Sequence, residues 1–390
     1  MLARMVCLFS RALAVLLALA LSGCATVALP PEVPPDLLPD AQFGPPGVLV
    51  DADAALAVSP AMHQFLRDRV KPLARLLGER EALTMALFQR GKLLLDYDDS
   101  RTRTAAEAFE TRSGNCLSLV LLTAALAQQL DLHVRYQQVH SEASWSRSGD
   151  LLAYSGHVNL VLGGGGAWRR AGGRWDTQLV IDFLPPQDLM GQRSSVIDEN
   201  TLLGMFLNNR AAEALAAGRL DDADAHVRAA LQRAPRLVAA WNTLALLHRR
   251  RGDDRRATGA WQQALAAEPD NTRVLANLVD LYSATGRPEA AAPLRARLLQ
   301  LEPVAPFEWT RRGQAALAEG RHALAREAFL QELARDPFQH EAHAGMAQAE
   351  AGLGHLAAVR RHLALARDAS PTLQQRALYG AKLDRLAALQ

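Results

Sequence analysis

Glycine and proline recur in this chain with a single period. Gly218, Gly252, Gly286, Gly320 and Gly354 are each 34 residues apart, and so are Pro235, Pro269, Pro303, Pro337 and Pro371. Two residue types held in phase over five periods restrict the C-terminal half to a linear array of stacked supersecondary units. Within a unit, glycine suits the turn between a first and a second helix, and proline ends the second helix. Ala223, Ala257, Ala291 and Ala325 fall at a third phase, where a small side chain lets helices approach closely; Val359 stands there in the fifth unit. Trp241, Leu275 and Trp309 share another position. Val227, Trp261, Phe329 and Leu363 share one more, from which Arg295 departs. Five units span 204–373, and 374–390 read as a solvating cap helix.

This pattern resembles the tetratricopeptide repeat (TPR), so the expected architecture is an all-α TPR solenoid whose concave face comes from the first helix of each unit. The resemblance implies a protein or peptide partner held on that face. In this register Asn208, Asn242, Arg249 and Arg273 line it, and a basic-amide lining suits a peptide carboxylate. An ordinary solvated surface accounts for the same four residues.

Composition bounds the rest. The chain has 390 residues, enough for two or three domains, and 49% of them are hydrophobic, as in a folded globular protein. With 43 basic against 41 acidic residues the net charge is +2, which gives no electrostatic footprint for nucleic acid. Cysteine occurs three times, at Cys7, Cys24 and Cys116.

Arg4 and Arg11 flank an apolar run, Ala12 to Leu21, that is too short to span a bilayer comfortably and is followed by small residues. Leu21-Ser22-Gly23-Cys24 resembles the lipobox of bacterial lipoproteins. The resemblance implies a signal peptide over 1–23, cleavage before Cys24 and acylation of that residue. Ala25 after the cysteine resembles lipoproteins sorted to the outer membrane. The expected location is therefore the bacterial cell envelope, lipid-anchored at the outer membrane and facing the periplasm. Seven prolines between 30 and 46 make 24–50 an extended tether that holds the globular part off the membrane. Beyond the leader, no run is long and apolar enough for a membrane span.

With Cys7 in the leader and Cys24 acylated, Cys116 is the one thiol left, and an internal disulfide is excluded. It opens the stretch Ser113 to Leu130, in which Gly114 and Asn115 break or cap and a run of Leu, Val and Ala follows. That is a buried helix with a cysteine in its first turn, where unpaired N–H groups and the helix dipole favour a thiolate. A small hydrophobe packed under a core helix is the plainer reading of the same residue.

Helical spacing covers 53–110, with Met62, Phe65, Leu66, Leu73, Leu76 and Leu77 on one set of turns and Leu83, Met85, Leu87 and Phe88 on the next, ending near Gly91. Tyr97 to Ser100 reads as a turn, and Thr104 with Glu107 forms a capping box for a helix over 105–110. Beyond the Cys116 helix the period falls toward two. Strands are expected over 133–140, 156–162 and 175–183, with His157, Asn159 and Val161 on one face. Gly163 to Gly166 is expected as a flexible connection.

These residues resemble the transglutaminase-like superfamily, whose fold and active site are papain-like. The resemblance rests on Tyr97-Asp98, Thr104 to Ala108, Arg112 to Leu119, Gly156 to Leu160 and Val180-Ile181-Asp182, and covers roughly 80–190. It implies an α+β domain over 51–200 with Cys116 as nucleophile, His157 as base and Asp182 orienting the imidazole. The chemistry needs those types: the histidine takes the thiol proton and returns it to a leaving amine, and the carboxylate fixes its tautomer. The Cys116 N–H is a natural oxyanion donor; Asn115 or a residue upstream is the candidate for the second. No cofactor is implied. No His-Glu-x-x-His or cysteine pair marks a metal site, and the glycine run is not a P-loop. His340 and His343 share a helix face and read as a solvated repeat surface.

Two readings follow. One is a lipoprotein enzyme, a cysteine peptidase or amidase working through a thioester, whose repeats recruit a protein substrate. The other is a non-catalytic scaffold lipoprotein whose repeats bind envelope proteins.

Overall fold

A computed structural model describes residues 34–38, 43–47, 51–88, 93, 95–98, 100–140, 145–148, 151–154, 157–165, 179–183, 193–302, 304, 307–337, 339–370 and 373–388. The leader, Cys24 and the first residues of the strand expected over 175–183 lie outside them.

The chain first builds helices α1 (Pro60–Phe65), α2 (Lys71–Leu77) and α3 (Glu79–Phe88), with a π-helical turn over Leu66–Val70 between the first two. Strand β1 (Asp96–Tyr97) pairs in parallel with β2 (Ser113–Gly114). Between them runs α4 (Ala105–Thr111), opened by the capping box foreseen at Thr104 and Glu107, both halves of which are made. Helix α5 (Cys116–Gln128) is apolar on every side and buried from Cys116 through Ala127, as a helix enclosed by its domain must be. It packs on β3 (Leu132–His140) and β6 (His157–Gly165). The sheet is antiparallel in the order β7-β6-β3-β8, with β7 Leu179–Ile181 and β8 Arg193–Ile197, and β4 (Trp145–Ser148) pairs with β5 (Leu151–Tyr154) as a separate hairpin. Two expectations shift here. Tyr97 is a strand residue, and Gly163–Gly165 continue β6, with Gly165 opposite Leu132. Ladder pairing depends on backbone groups, which glycine supplies as well as any residue.

The second half is an array of helix pairs: α6 (Glu199–Ala216) with α7 (Leu220–Arg233), α8 (Val238–Arg250) with α9 (Asp254–Ala267), α10 (Thr272–Ala284) with α11 (Pro288–Leu301), α12 (Glu308–Ala318) with α13 (His322–Arg335) and α14 (His340–Gly352) with α15 (Leu356–Asp368). Helix α16 (Leu373–Ala388) caps it. The five periodic glycines turn each pair with φ between +69° and +81°, the left-handed region a side chain resists. Ala223, Ala257, Ala291 and Ala325 are fully buried, and Trp261 and Phe329 fill the larger inter-helix position.

Packing is not uniform along the array. One core runs from the α+β domain through the first units to Ala291; a second joins Ala316 to Ala349 and a third Ala347 to Tyr379. The interruption falls where α11 buries Ala291 alone and exposes Arg295, the departure from the aromatic position.

Three contacts alter the sequence picture. The described part of the proline-rich stretch is not free: Pro35–Leu37 forms a 3-10 turn whose Leu37 is buried against the array. His343 is buried, with Nδ1 3.1 Å from His362 Nδ1 and Nε2 on the Pro337 carbonyl, and His340 meets Tyr379, so neither is a solvated surface residue. Both ends of the array also touch one segment of the first domain. Glu213 on α6 accepts the Thr102 N–H at 2.6 Å and Arg210 donates to the Thr102 carbonyl at 3.1 Å, while Arg376 on α16 donates to the Tyr97 carbonyl at 3.1 Å. Among the described residues no helix is long and apolar enough to cross a membrane.

Candidate active site

The helix that begins at Cys116 is set by a short run of special backbone. Arg112 ends α4 in the left-handed region, β2 follows, and Asn115 is extended, so that Cys116 becomes the first helical residue. Gly114 is needed there: a Cβ would stand 2.6 Å from that of Ser118. The Asn115 side chain caps the helix, its Oδ1 accepting the Ser118 N–H at 2.9 Å and the Ser118 hydroxyl at 2.7 Å. Its Nδ2 donates to Thr102 Oγ1 at 2.9 Å. One of the two Nδ2 hydrogens is thus committed to Thr102, and the amide oxygen to the helix start.

His157 opens β6, and Asp182 follows β7 directly. The register pairs Leu160 with Ile181, which sets Asn159 opposite Asp182 and His157 two residues away on the same face. His157 Nε2 lies 2.7 Å from Asp182 Oδ1, and the ring also hydrogen-bonds the Cys116 thiol. Asn159 Nδ2 donates to Asp182 Oδ2 at 2.8 Å, so the carboxylate is held at both oxygens. Burial alone would lower the imidazole pKa; hydrogen bonds to Asp182 and Cys116, with their negative charges, outweigh it and raise it to about 10. The Asp182 carboxylate beside it thus favours the protonated ring. Cys116 and His157 are 3% and 6% exposed, so the sulfur is nearly sealed from water.

The three residues singled out as nucleophile, base and orienting acid thus meet in one cluster. Sequence reasoning missed Asn159 as a member, although its place two residues beyond His157 is the signal that could have found it. It also missed Thr102 and Ser118, which brace the helix start; Ser118 Oγ accepts the Arg103 N–H at 2.8 Å. Among the described residues no group of three His, Cys, Asp or Glu side chains is placed to hold a metal.

No family model and no curated protein matches the chain. Among solved structures it is similar to the MamA protein, with 17% identity and a TM-score of 0.25 over 44% of this chain and 93% of that one. It is similar to YrrB, described as a TPR protein with an unusual peptide-binding site, with 20% identity and a TM-score of 0.25 over 46% and 92%. It is also similar to PilW, described as a type IV pilus biogenesis factor, with 20% identity and a TM-score of 0.26 over 49% and 88%. Helix pairs of 34-residue period, each turning on a left-handed glycine, decide the architecture of the second half. It is a tetratricopeptide-type solenoid.

The residues expected on the concave face of this TPR solenoid are not gathered into one site. Asn208 is buried and accepts the Thr243 hydroxyl at 2.8 Å; Asn242 accepts the Trp261 indole N–H at 2.9 Å and Asn277 at 2.8 Å. Both amides tie neighbouring TPR helices together. Arg249 is half-buried in the last turn of α8. Arg273 lines a shallow cavity of about 470 Å³ beside Asp270, Asn271 and Thr272 at the turn into α10.

Proposed function

We propose that the chain is a cysteine-nucleophile enzyme of the transglutaminase-like kind, hydrolysing amide bonds in a protein or peptide that its TPR solenoid recruits. The observation that carries this is the unit formed by Cys116 at its helix start, His157 and Asp182, with the 2.7 Å His157–Asp182 bond. An imidazolium beside the thiol favours the thiolate, the form that attacks carbonyl carbon.

In the reaction the Cys116 thiolate adds to the amide carbonyl, and the negative charge passes to oxygen beside the Cys116 N–H at the helix start. Collapse expels the amine, which takes the proton held on His157, and leaves a thioester. Neutral His157 then takes a proton from water as the water oxygen attacks the thioester carbon. Cys116 departs as thiolate, the acid is released and the imidazolium is restored. Asp182 holds one tautomer throughout and Asn159 holds Asp182. An acylated Cys24 would place this chemistry at the envelope membrane.

The second reading, a non-catalytic TPR scaffold, is favoured by one observation, the burial of Cys116 and His157. Alkylation separates the two. Iodoacetamide labelling of Cys116, followed by mass spectrometry of its peptide in the full chain, is expected to be fast well below pH 8 and to fall roughly a hundredfold in His157→Ala. Labelling that follows an ordinary thiol titration, or a Cys116 that stays inert while the chain is folded, would leave the scaffold reading in place.

A further inference from the structure

The proline-rich N-terminal stretch is bound by the solenoid in the manner of a peptide ligand. Three successive carbonyls are each taken by a different helix. Arg256 Nε on α9 donates to the Asp36 carbonyl at 2.7 Å, His248 Nε2 on α8 meets the Leu37 carbonyl at 2.8 Å, and Arg228 Nη1 on α7 donates to the Leu38 carbonyl at 3.0 Å. A carbonyl only accepts, so His248 carries its proton on Nε2. Farther along, the Gly44 N–H donates to Asp221 at 3.1 Å and the Gly47 N–H to Asp222 at 2.7 Å, both in the first turn of α7. Two side chains anchor the segment. Leu37 is buried, resting on Gly259, where a Cβ would stand 2.7 Å from Leu37 Cδ2. Phe43 lies against His248, with the Arg251 guanidinium 4.7 Å from its ring centroid.

This is recognition of main chain plus two apolar side chains, Leu37 in a pocket and Phe43 against His248. Backbone groups are common to every sequence, so such a surface selects for shape: a proline-started turn that presents three carbonyls, with a leucine as its third residue. Gly259 is the specificity-determining position, since its missing side chain is the leucine pocket. The surface lies on the second helices of the first two units together with the end of α8. The concave face expected from the first helices is elsewhere.

We propose that this face of the first two units is a peptide-binding site, filled here by the chain's own residues 34–38 and 43–47 and open to exchange with a proline-leucine segment of the same chemistry from a protein partner. The proposal stands apart from the chemistry at Cys116, and neither depends on the other.

The test uses full-length chains and a fluorescein-labelled peptide of residues 33–48, read by anisotropy. Leu37→Asp is expected to release the chain's own segment and to bind the peptide about tenfold or more tightly than wild type, because the leucine pocket is vacated. Adding Gly259→Ala to Leu37→Asp is expected to abolish that gain, since alanine fills the pocket while favouring the helix. A Leu37→Asp chain with wild-type circular dichroism that takes up no peptide overturns the proposal, as does equal binding by the Gly259→Ala double variant. Should Leu37→Asp not fold, hydrogen exchange on wild type decides instead. Excess unlabelled peptide is expected to speed exchange at the Gly44 and Gly47 amides, and unchanged protection there overturns the proposal.

Discussion

Asn159 Nδ2 donates to Asp182 Oδ2 at 2.8 Å, while His157 occupies the other carboxylate oxygen at 2.7 Å. The Asp182 carboxylate is thereby held at both oxygens, one of them by a near neighbour of the histidine it meets. Removing the amide leaves a buried carboxylate oxygen without that donor, a loss of about 1.5–3 kcal/mol for a bond to a charged group. Asn159→Ala is expected to slow Cys116 alkylation at neutral pH roughly tenfold or more while Cys116 and His157 are both retained. Alkylation at the wild-type rate would show that His157 alone positions Asp182.

The raised pKa of His157 carries a sign. A histidine whose folded-state value lies above 6.5 adds stability that is fully present below 6.5 and is lost as pH rises through about 10. Urea midpoints measured from pH 6 to 10 are expected to fall more steeply for wild type than for Asp182→Asn, which weakens the pairing. Parallel curves would mean that the ring is neutral in the folded chain.

Glu213 and Arg210 grip the main chain of Thr102, and Thr102 Oγ1 accepts from the Asn115 cap at the start of the Cys116 helix. Glu213 is buried enough that its carboxyl pKa is raised, burial outweighing its bonds to Thr102. Glu213→Gln keeps an acceptor for the Thr102 N–H and is expected to be nearly neutral. Glu213→Leu strands that N–H and is expected to cost about 1–3 kcal/mol in thermal or urea unfolding. Equal effects of the two substitutions would show that charge, not the hydrogen bond, is what matters there.

Phe329 is wedged between Gly313 and Gly345, and a Cβ at Gly345 would collide with its ring. Gly345→Ala therefore works against the helix propensity it improves, and overpacking is expected to destabilise by about 1–3 kcal/mol. Because this core is separate from the one that ends at Ala291, the loss is expected as an earlier melting step of α12–α15, with the first domain unaffected. A single transition shifted as a whole would show that the break at α11 does not divide the cooperative unit.

What was readable in the sequence was local or periodic. The Thr104–Glu107 capping box spans three residues. The left-handed glycines and buried alanines repeat every 34, and the order Cys116, His157, Asp182 follows helix, strand and strand. The segment at Leu37 was not readable, because its partners Arg228, His248 and Arg256 lie 190, 211 and 220 residues from the groups they bind and recognise main chain, which leaves no residue pattern. Gly163–Gly165 were misread as a loop for the same reason: strand pairing uses atoms that composition does not report. His340 and His343 read as surface residues because polarity is a poor guide where a neighbour satisfies the ring, as Tyr379 and His362 do here.

A linear array frays from its ends, where each terminal unit has one neighbour instead of two. Here the terminal helices are tied to the same short stretch of the first domain, α6 at Thr102 and α16 at Tyr97. The array is thus mechanically a loop with no loose end. Spreading it requires either a yield at the weakly packed α11 or release of Arg376 from Tyr97.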